Sequence, residues 1–279
     1  MTNLFKTENG SWISDDLIKD KLTNMGAHDC DVLYIHSALN FGLPNMEIKN
    51  RQLLQCVLDM IESLNVPTIV MPTFTFSFCN GKSYDPSTSK SRMGALNEFF
   101  RKQKDVIRSK DPLMSVAIKG KDTSLATNVG NHSISDGSTF DMIHHKSGVK
   151  FLFLGPRIGD CLTYMHYLEW LFDVDYRYIR HFIGEVIDGG TTRKVDQDLF
   201  VRYNGVFAND ASYKYEDLMV EAKAALRERL GNGFLSIVGE KEATNYYKKC
   251  LEIDPHYFVD IKNDIKDKTF KLDHEMVAL

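Results

Sequence analysis

Short apolar runs separated by helical periods constrain this chain more than any other feature. Residues 31–36 (DVLYIH), 66–71 (VPTIVM) and 150–154 (KFLFL) are apolar with little alternation, and 114–118 reads the same way. A strand with one wet face alternates polar and apolar residues, so runs like these need cover on both faces. The cover is encoded between them. Ser14 opens a helical period that reaches Met25, with Asp15 and Asp16 in its first turn, where carboxylates suit the helix dipole. Residues 47–64 place Leu53, Leu54, Val57, Leu58 and Ile61 at helical spacing. Further helices are predicted over 94–104 and 160–172. This order predicts an α/β or mixed α+β fold with a partly parallel central sheet flanked by helices.

The last third reads differently. Residues 178–187 and 193–206 are predicted as antiparallel strands joined through Gly189 and Gly190. A long helical period covers 213–230, and 240–251 and 258–267 also read as helical, so 207–279 is expected to be a helical C-terminal portion. No linker, repeat or low-complexity stretch interrupts the 279 residues, which read as a single domain.

Charge and cysteine usage exclude several function classes. Against 34 basic residues stand 38 acidic ones, a net charge of −4, and a general nucleic-acid binder needs a basic surface. No apolar run approaches the roughly 20 residues that cross a bilayer. Residues 1–12 hold no apolar stretch of the kind a signal peptide needs, so neither membrane insertion nor secretion is expected. The five cysteines are widely spaced and include no C-x-x-C pair. They read as reduced thiols of a cytoplasmic protein, with no disulfide frame and no metal site expected.

The sharpest chemical feature is Thr163-x-x-His166-x-x-Glu169. On a helix, residues three apart share a face, so Glu169 can hold the imidazole of His166 and fix its tautomer. From spacing alone a surface pair on an amphipathic helix is the commoner reading. His36-Ser37 at the exit of the first strand, and Thr73 and Thr75 at the exit of the second, stand where ligand groups collect in α/β folds. Plain strand exits are the equal alternative. Arg108, Ser109 and Ser115 form a polar run suited to phosphates or to solvent. Asp173-x-Asp175 is a bare acidic pair of low specificity.

Taken in order, these segments resemble the aminoglycoside 3-N-acetyltransferase family. The likeness runs from His36-Ser37 and Gly42 through Met71-Pro72-Thr73, Tyr84-Asp85-Pro86 and residues 94–101 (GALNEFFR). It continues through Arg108-Ser109, Pro112, Ser115 and Gly120 to Leu154-Gly155 and the Thr163, His166, Glu169 triplet, spanning roughly residues 14–230. The resemblance implies acyl transfer from acetyl-CoA, or another short acyl-CoA, to an amine. It implies His166 and Glu169 as the catalytic pair, with Thr163 beside them. It also implies His36, Ser37, Thr73, Thr75, Arg108, Ser109 and Ser115 as the lining of the CoA and thioester pocket. Tyr84, Asp85, Asp111 and Asp173 are the candidate acceptor contacts.

The chain departs from the family pattern at Asp111, where histidine is common, at Ser37-Ala38, at residues 43–46 (LPNM), where glycines are usual, and at Pro67. A divergent acceptor pocket is therefore expected. Its ligand would be an amino sugar, either nucleotide-linked or an aminoglycoside, with Arg177, Arg180 or Lys194 available for a nucleotide. The alternatives are a Ser-His-Glu hydrolase using Ser37 or Ser115, a covalent route through Cys161, and a noncatalytic sugar-binding relative. A homo-oligomer is the default expectation for a soluble enzyme.

Overall fold

The computed structural model describes residues 1–262 and Lys268. In chain order the elements are β1 (Asn3–Lys6), β2 (Trp12–Ser14), α1 (Asp15–Asn24), β3 (Val32–Ser37), β4 (Leu43–Pro44), α2 (Asn50–Glu62), β5 (Thr68–Pro72), α3 (Ala95–Phe100), β6 (Ile107–Arg108), β7 (Val116–Gly120), α4 (Ser124–Thr127), α5 (Thr139–His144), β8 (Val149–Gly155), α6 (Ile158–Cys161), α7 (Met165–Leu171), β9 (Arg177–Asp188), β10 (Thr191–Arg202), β11 (Val206–Ala208), α8 (Ala211–Glu221), β12 (Ala225–Leu230), β13 (Gly233–Gly239), α9 (Glu240–Ile253) and β14 (Val259–Ile261).

The main sheet has the order β12-β13-β8-β3-β5-β7-β6. Its centre is parallel, β3 pairing with β5 and with β8, and its outer pairs are antiparallel. The mixed fold read from the apolar runs is the one observed. Both faces of the central strands are buried, as unalternating runs require. Val32, Tyr34, Phe151 and Phe153 join one core with residues of α7, α8 and α9. Leu33, Ile35, Leu152 and Leu154 join the other with Ile18 and Leu22 of α1 and Val57, Leu58 and Ile61 of α2. Each such side chain contributes about 1.5–3 kcal/mol when fully buried. Among the described residues, no helix is long and apolar enough to cross a membrane.

Local signals hold well. Ser14 caps α1 by accepting from the Leu17 N–H at 3.2 Å. The hairpin β9–β10 turns on Gly189 (φ 56°) and Gly190 (φ 85°), two left-handed residues that match the twist of the flanking strands. Gly155 ends β8 at φ +107°, where a Cβ would lie 2.3 Å from the Asn40 side chain, so the loop after β3 can pass only a glycine.

Three segments differ from the reading above. The predicted helix over 160–172 is two helices, because Leu162 (ψ 84°) leaves the helical region and sinks its side chain into the core. The helical period over 213–230 stops in α8 at Glu221. Lys223 (φ 58°) turns the chain, and Ala225–Leu230 becomes β12, paired along its length with β13. Its Ala, Leu, Arg and Glu residues favour helix intrinsically, and sheet pairing overrides that preference. The C-terminal portion thus carries α8 and α9 together with strands that extend the main sheet. The predicted helix over 258–267 begins as β14, and its remainder lies outside the described residues.

Candidate active site

Helix α7 packs on the core beside α9. Tyr164, Tyr167 and Leu168 bury one flank, Tyr164 against Phe151 at 5.0 Å between ring centroids. His166 and Glu169 share another flank. After α7 the chain reverses at Asp173 (φ 51°) and returns at once as β9. That reversal lays Arg177, the first residue of β9, back across Glu169.

The result is a three-residue cluster. The Nδ1 of His166 lies 2.8 Å from Glu169 Oε2. Arg177 Nε forms an ion pair with the same oxygen at 2.8 Å, and Arg177 Nη2 lies 3.0 Å from His166 Nδ1. Arg177 Nη1 donates to the Phe200 carbonyl on β10 at 2.9 Å, and Tyr176 OH donates to Glu169 Oε1 at 3.2 Å. Glu169 and Arg177 are almost fully buried, whereas a third of the His166 side chain is exposed. The Nδ1 edge of the ring is the one packed against those two buried groups.

Electrostatics follow from the packing. Burial alone would raise the Glu169 carboxyl, but the Arg177 charge and the His166 hydrogen bond outweigh it and hold the group at about 2. Glu169 is therefore ionised. Burial and the neighbouring Arg177 charge push the His166 imidazole below its ordinary value, against the pull of Glu169, so the ring is neutral at pH 7. A neutral imidazole donating Nδ1–H to a carboxylate leaves a lone pair on Nε2. That is the arrangement of a general base. Thr163 lies in the turn before α7; its carbonyl accepts the His166 N–H at 3.0 Å, and its hydroxyl reaches only the Cys161 carbonyl, at 3.4 Å.

The other expected site residues fall into separate groups. Thr73, Ser115, Arg108, Ser109 and Tyr84 come together as one buried knot. Thr73 Oγ1 donates to the Ser115 carbonyl at 3.1 Å, and Ser115 Oγ donates to the Thr73 carbonyl at 2.9 Å. Arg108 donates to Thr73 Oγ1 and to the Thr73, Ser89 and Pro86 carbonyls, and stacks over Tyr84, whose OH donates to the Ser109 carbonyl. Thr75 is buried beside it, 3.5 Å from the Pro112 carbonyl. Ser37 Oγ donates to Asn97 Oδ1 at 2.7 Å. His36 is buried and stacked on Phe153.

Among the acceptor candidates, Asp111 is buried and accepts from the Leu113 and Met114 N–H groups and the Ser133 hydroxyl. Asp85 accepts from the Ser87 N–H and hydroxyl. Asp173 is the exposed turn residue after α7, and Asp175 pairs with His256 at 2.7 Å. Arg177, read from the sequence only as a candidate nucleotide contact, belongs to the His–Glu cluster. The signal that could have found it was its place just past a short helix and a tight reversal. Among the described residues, no group of three or more His, Cys, Asp or Glu is arranged to hold a metal ion.

The comparisons with known proteins place the chain among the N-acyltransferases. Residues 35–252 match the family model described as aminoglycoside 3-N-acetyltransferase, and the chain belongs to that family. Similar solved structures include AAC-IIIb, described as binary with CoASH (17% identity, 86% of this chain and 97% of that one, TM-score 0.72). AAC-VIa bound to sisomicin is another (16% identity, 86% and 98%, TM-score 0.70). A third is the YokD protein from Bacillus subtilis (17% identity, 85% and 97%, TM-score 0.67). Among curated protein sequences, none matches the chain.

Proposed function

We propose that this enzyme moves an acetyl or short acyl group from a CoA thioester to the amino group of an amino sugar, with His166 as general base. The observation that carries the reading is the His166–Glu169 contact of 2.8 Å through Nδ1, on a side chain that is one-third exposed. Family membership supports the reaction class, and relatives described with CoASH and with sisomicin support the two substrate types.

Amine attack on a thioester needs a free nitrogen lone pair. The acceptor nitrogen forms its bond to the thioester carbonyl carbon, and the carbonyl π electrons move to oxygen. The nitrogen's surplus proton passes to His166 Nε2, directly or through one water. Glu169 holds the imidazolium through Nδ1–H. When the C–O double bond reforms, the C–S bond breaks, and the departing thiolate takes the proton from Nε2, returning the ring to its starting state. The oxyanion requires a donor. Thr73 is committed inside the buried knot, which leaves the loosely held Thr163 hydroxyl as the better placed of the two.

The structure favours direct transfer over the alternatives. Burial, with Asp160 and Glu216 nearby, pushes the Cys161 thiol well above its ordinary value, so a thiolate nucleophile is suppressed. Ser115 and Ser37 are bonded to Thr73 and Asn97 rather than to His166, which speaks against a serine triad. Acyl-CoA is a cytosolic metabolite, and the reading places the enzyme in that compartment.

The test is thiol release from acetyl-CoA against a panel of aminoglycosides and nucleotide-linked amino sugars. General-base catalysis is worth about 10²–10⁴-fold. His166→Ala should lose that much in kcat while still binding CoA. An unchanged kcat removes His166 from the mechanism.

A further inference from the structure

His166 Nδ1 has room for one proton but two neighbours that make opposite demands on it. Glu169 Oε2, at 2.8 Å, asks for a proton there, and Arg177 Nη2, at 3.0 Å, asks for a lone pair. The remaining contacts decide between them. Arg177 has another acceptor, the Phe200 carbonyl through Nη1, and its charge is already met by the Glu169 carboxylate. Glu169 Oε2 has no second hydrogen to replace the one from Nδ1 with comparable alignment, since the Arg177 Nε–H is not directed along the line to it. The proton therefore sits on Nδ1. The Arg177 charge then lies beside a ring nitrogen that already carries a hydrogen, where it opposes a second proton on the ring.

We propose that Arg177 is a positioning residue of this site: it clamps Glu169 against His166 and keeps the ring neutral, Nδ1-protonated and with its lone pair on Nε2 between turnovers. The inference rests on the general-base reading above and deepens it. At rest the cluster is electroneutral, one carboxylate against one guanidinium. Once Nε2 accepts the acceptor's proton, the cluster carries a net positive charge, and Arg177 drives that proton onward to the departing thiolate. The same residue ties α7 to the hairpin, because its third contact is a β10 carbonyl. The position of the hairpin thus sets the geometry of the base.

The groups that face this ring are known from each element packed on it. Glu169 faces it from α7, Arg177 from β9 and Arg202 from β10; Tyr176, just before β9, donates to Glu169, and Tyr247 of α9 is near enough to feel its charge. Arg202 also opposes the imidazolium, so Arg177 is not the sole cation acting. The depressed His166 imidazole agrees with this arrangement.

The experiment compares wild type, Arg177→Gln and Arg177→Lys by the pH profile of kcat/KM and by nitrogen-15 NMR titration of His166 in the unliganded enzyme. Loss of a charge this close moves a titration by about one pH unit or more. Arg177→Gln should shift the acid limb and the His166 midpoint upward by that amount. It should cost roughly tenfold in kcat/KM on the acid side, with KM for acyl-CoA within about twofold. Arg177→Lys should leave the limb in place but lower kcat, because one ammonium cannot make all three contacts. If Arg177→Gln does not fold, the Arg177→Lys profile and the wild-type tautomer still decide. A wild-type ring protonated on Nε2, or a limb and midpoint unmoved in folded Arg177→Gln, overturns the proposal. Failure of the general-base reading is distinct, because His166→Ala would then retain kcat.

Discussion

His36 lies flat on Phe153, with ring centroids 5.0 Å apart and planes 8° from parallel, and its Nε2 is buried without a hydrogen-bond partner. Burial pushes this imidazole down to about 3. A folded-state value below the unfolded one means that stability is complete above about 6.5 and is lost as pH falls toward 3, because only the unfolded chain takes up the proton. His36→Leu removes that proton uptake. At pH 5 the variant should gain about 2 kcal/mol over wild type relative to the difference at pH 7, read by urea denaturation at the two values. Equal differences at both would mean that His36 does not titrate as its burial requires.

Glu169 makes a related prediction with a different window. Its folded value near 2 lies below the ordinary 4.5. Its ionised form therefore stabilises the fold fully above 4.5 and progressively less as pH falls through about 2. Glu169→Gln should be less stable at pH 7, and its stability should vary less between pH 4.5 and 2. Its kcat should fall, though by less than that of His166→Ala, since the amide still orients the ring without stabilising the imidazolium. Calorimetry across that range and steady-state thiol release check the two halves.

Arg108 should behave as a structural residue. It satisfies three main-chain carbonyls and the Thr73 hydroxyl from a buried position. Each buried acceptor left unpaired costs about 1–3 kcal/mol. Arg108→Met should thus lose about 3 kcal/mol or more in denaturant, while the enzyme that remains folded keeps its KM for acyl-CoA within about twofold. A large rise in KM without loss of stability would instead make Arg108 a CoA ligand.

Cys161→Ala should retain kcat within about twofold, since the thiol is held protonated by its surroundings. Trapping of an acyl-cysteine at this position by rapid-quench mass spectrometry would contradict direct transfer.

The strands β3, β5 and β8 and the helices α1 and α2 were legible in the chain because each is specified by its own residues. Apolar runs need two covers, helical spacing makes one dry face, and Ser14 with two aspartates caps a helix. The His166–Glu169 contact was legible for the same reason, since three residues on a helix bring two side chains together wherever that helix lies. β12 was not, because its residues favour helix and become strand only against β13, and β8 pairs with β13 in turn. The burial of the Thr73, Ser115 and Arg108 group was also hidden, since it depends on three segments meeting.

The amino-acid sequence by itself determined the mixed sheet, its buried strands and the imidazole–carboxylate pair, all products of short-range periodicity. Only the tertiary structure decided that Arg177 lies against that pair and that Arg108 is buried among main-chain carbonyls. A charged side chain's role is set by which groups lie within about 4 Å of it, and here those groups are supplied by a chain reversal and by neighbouring strands rather than by adjacent residues.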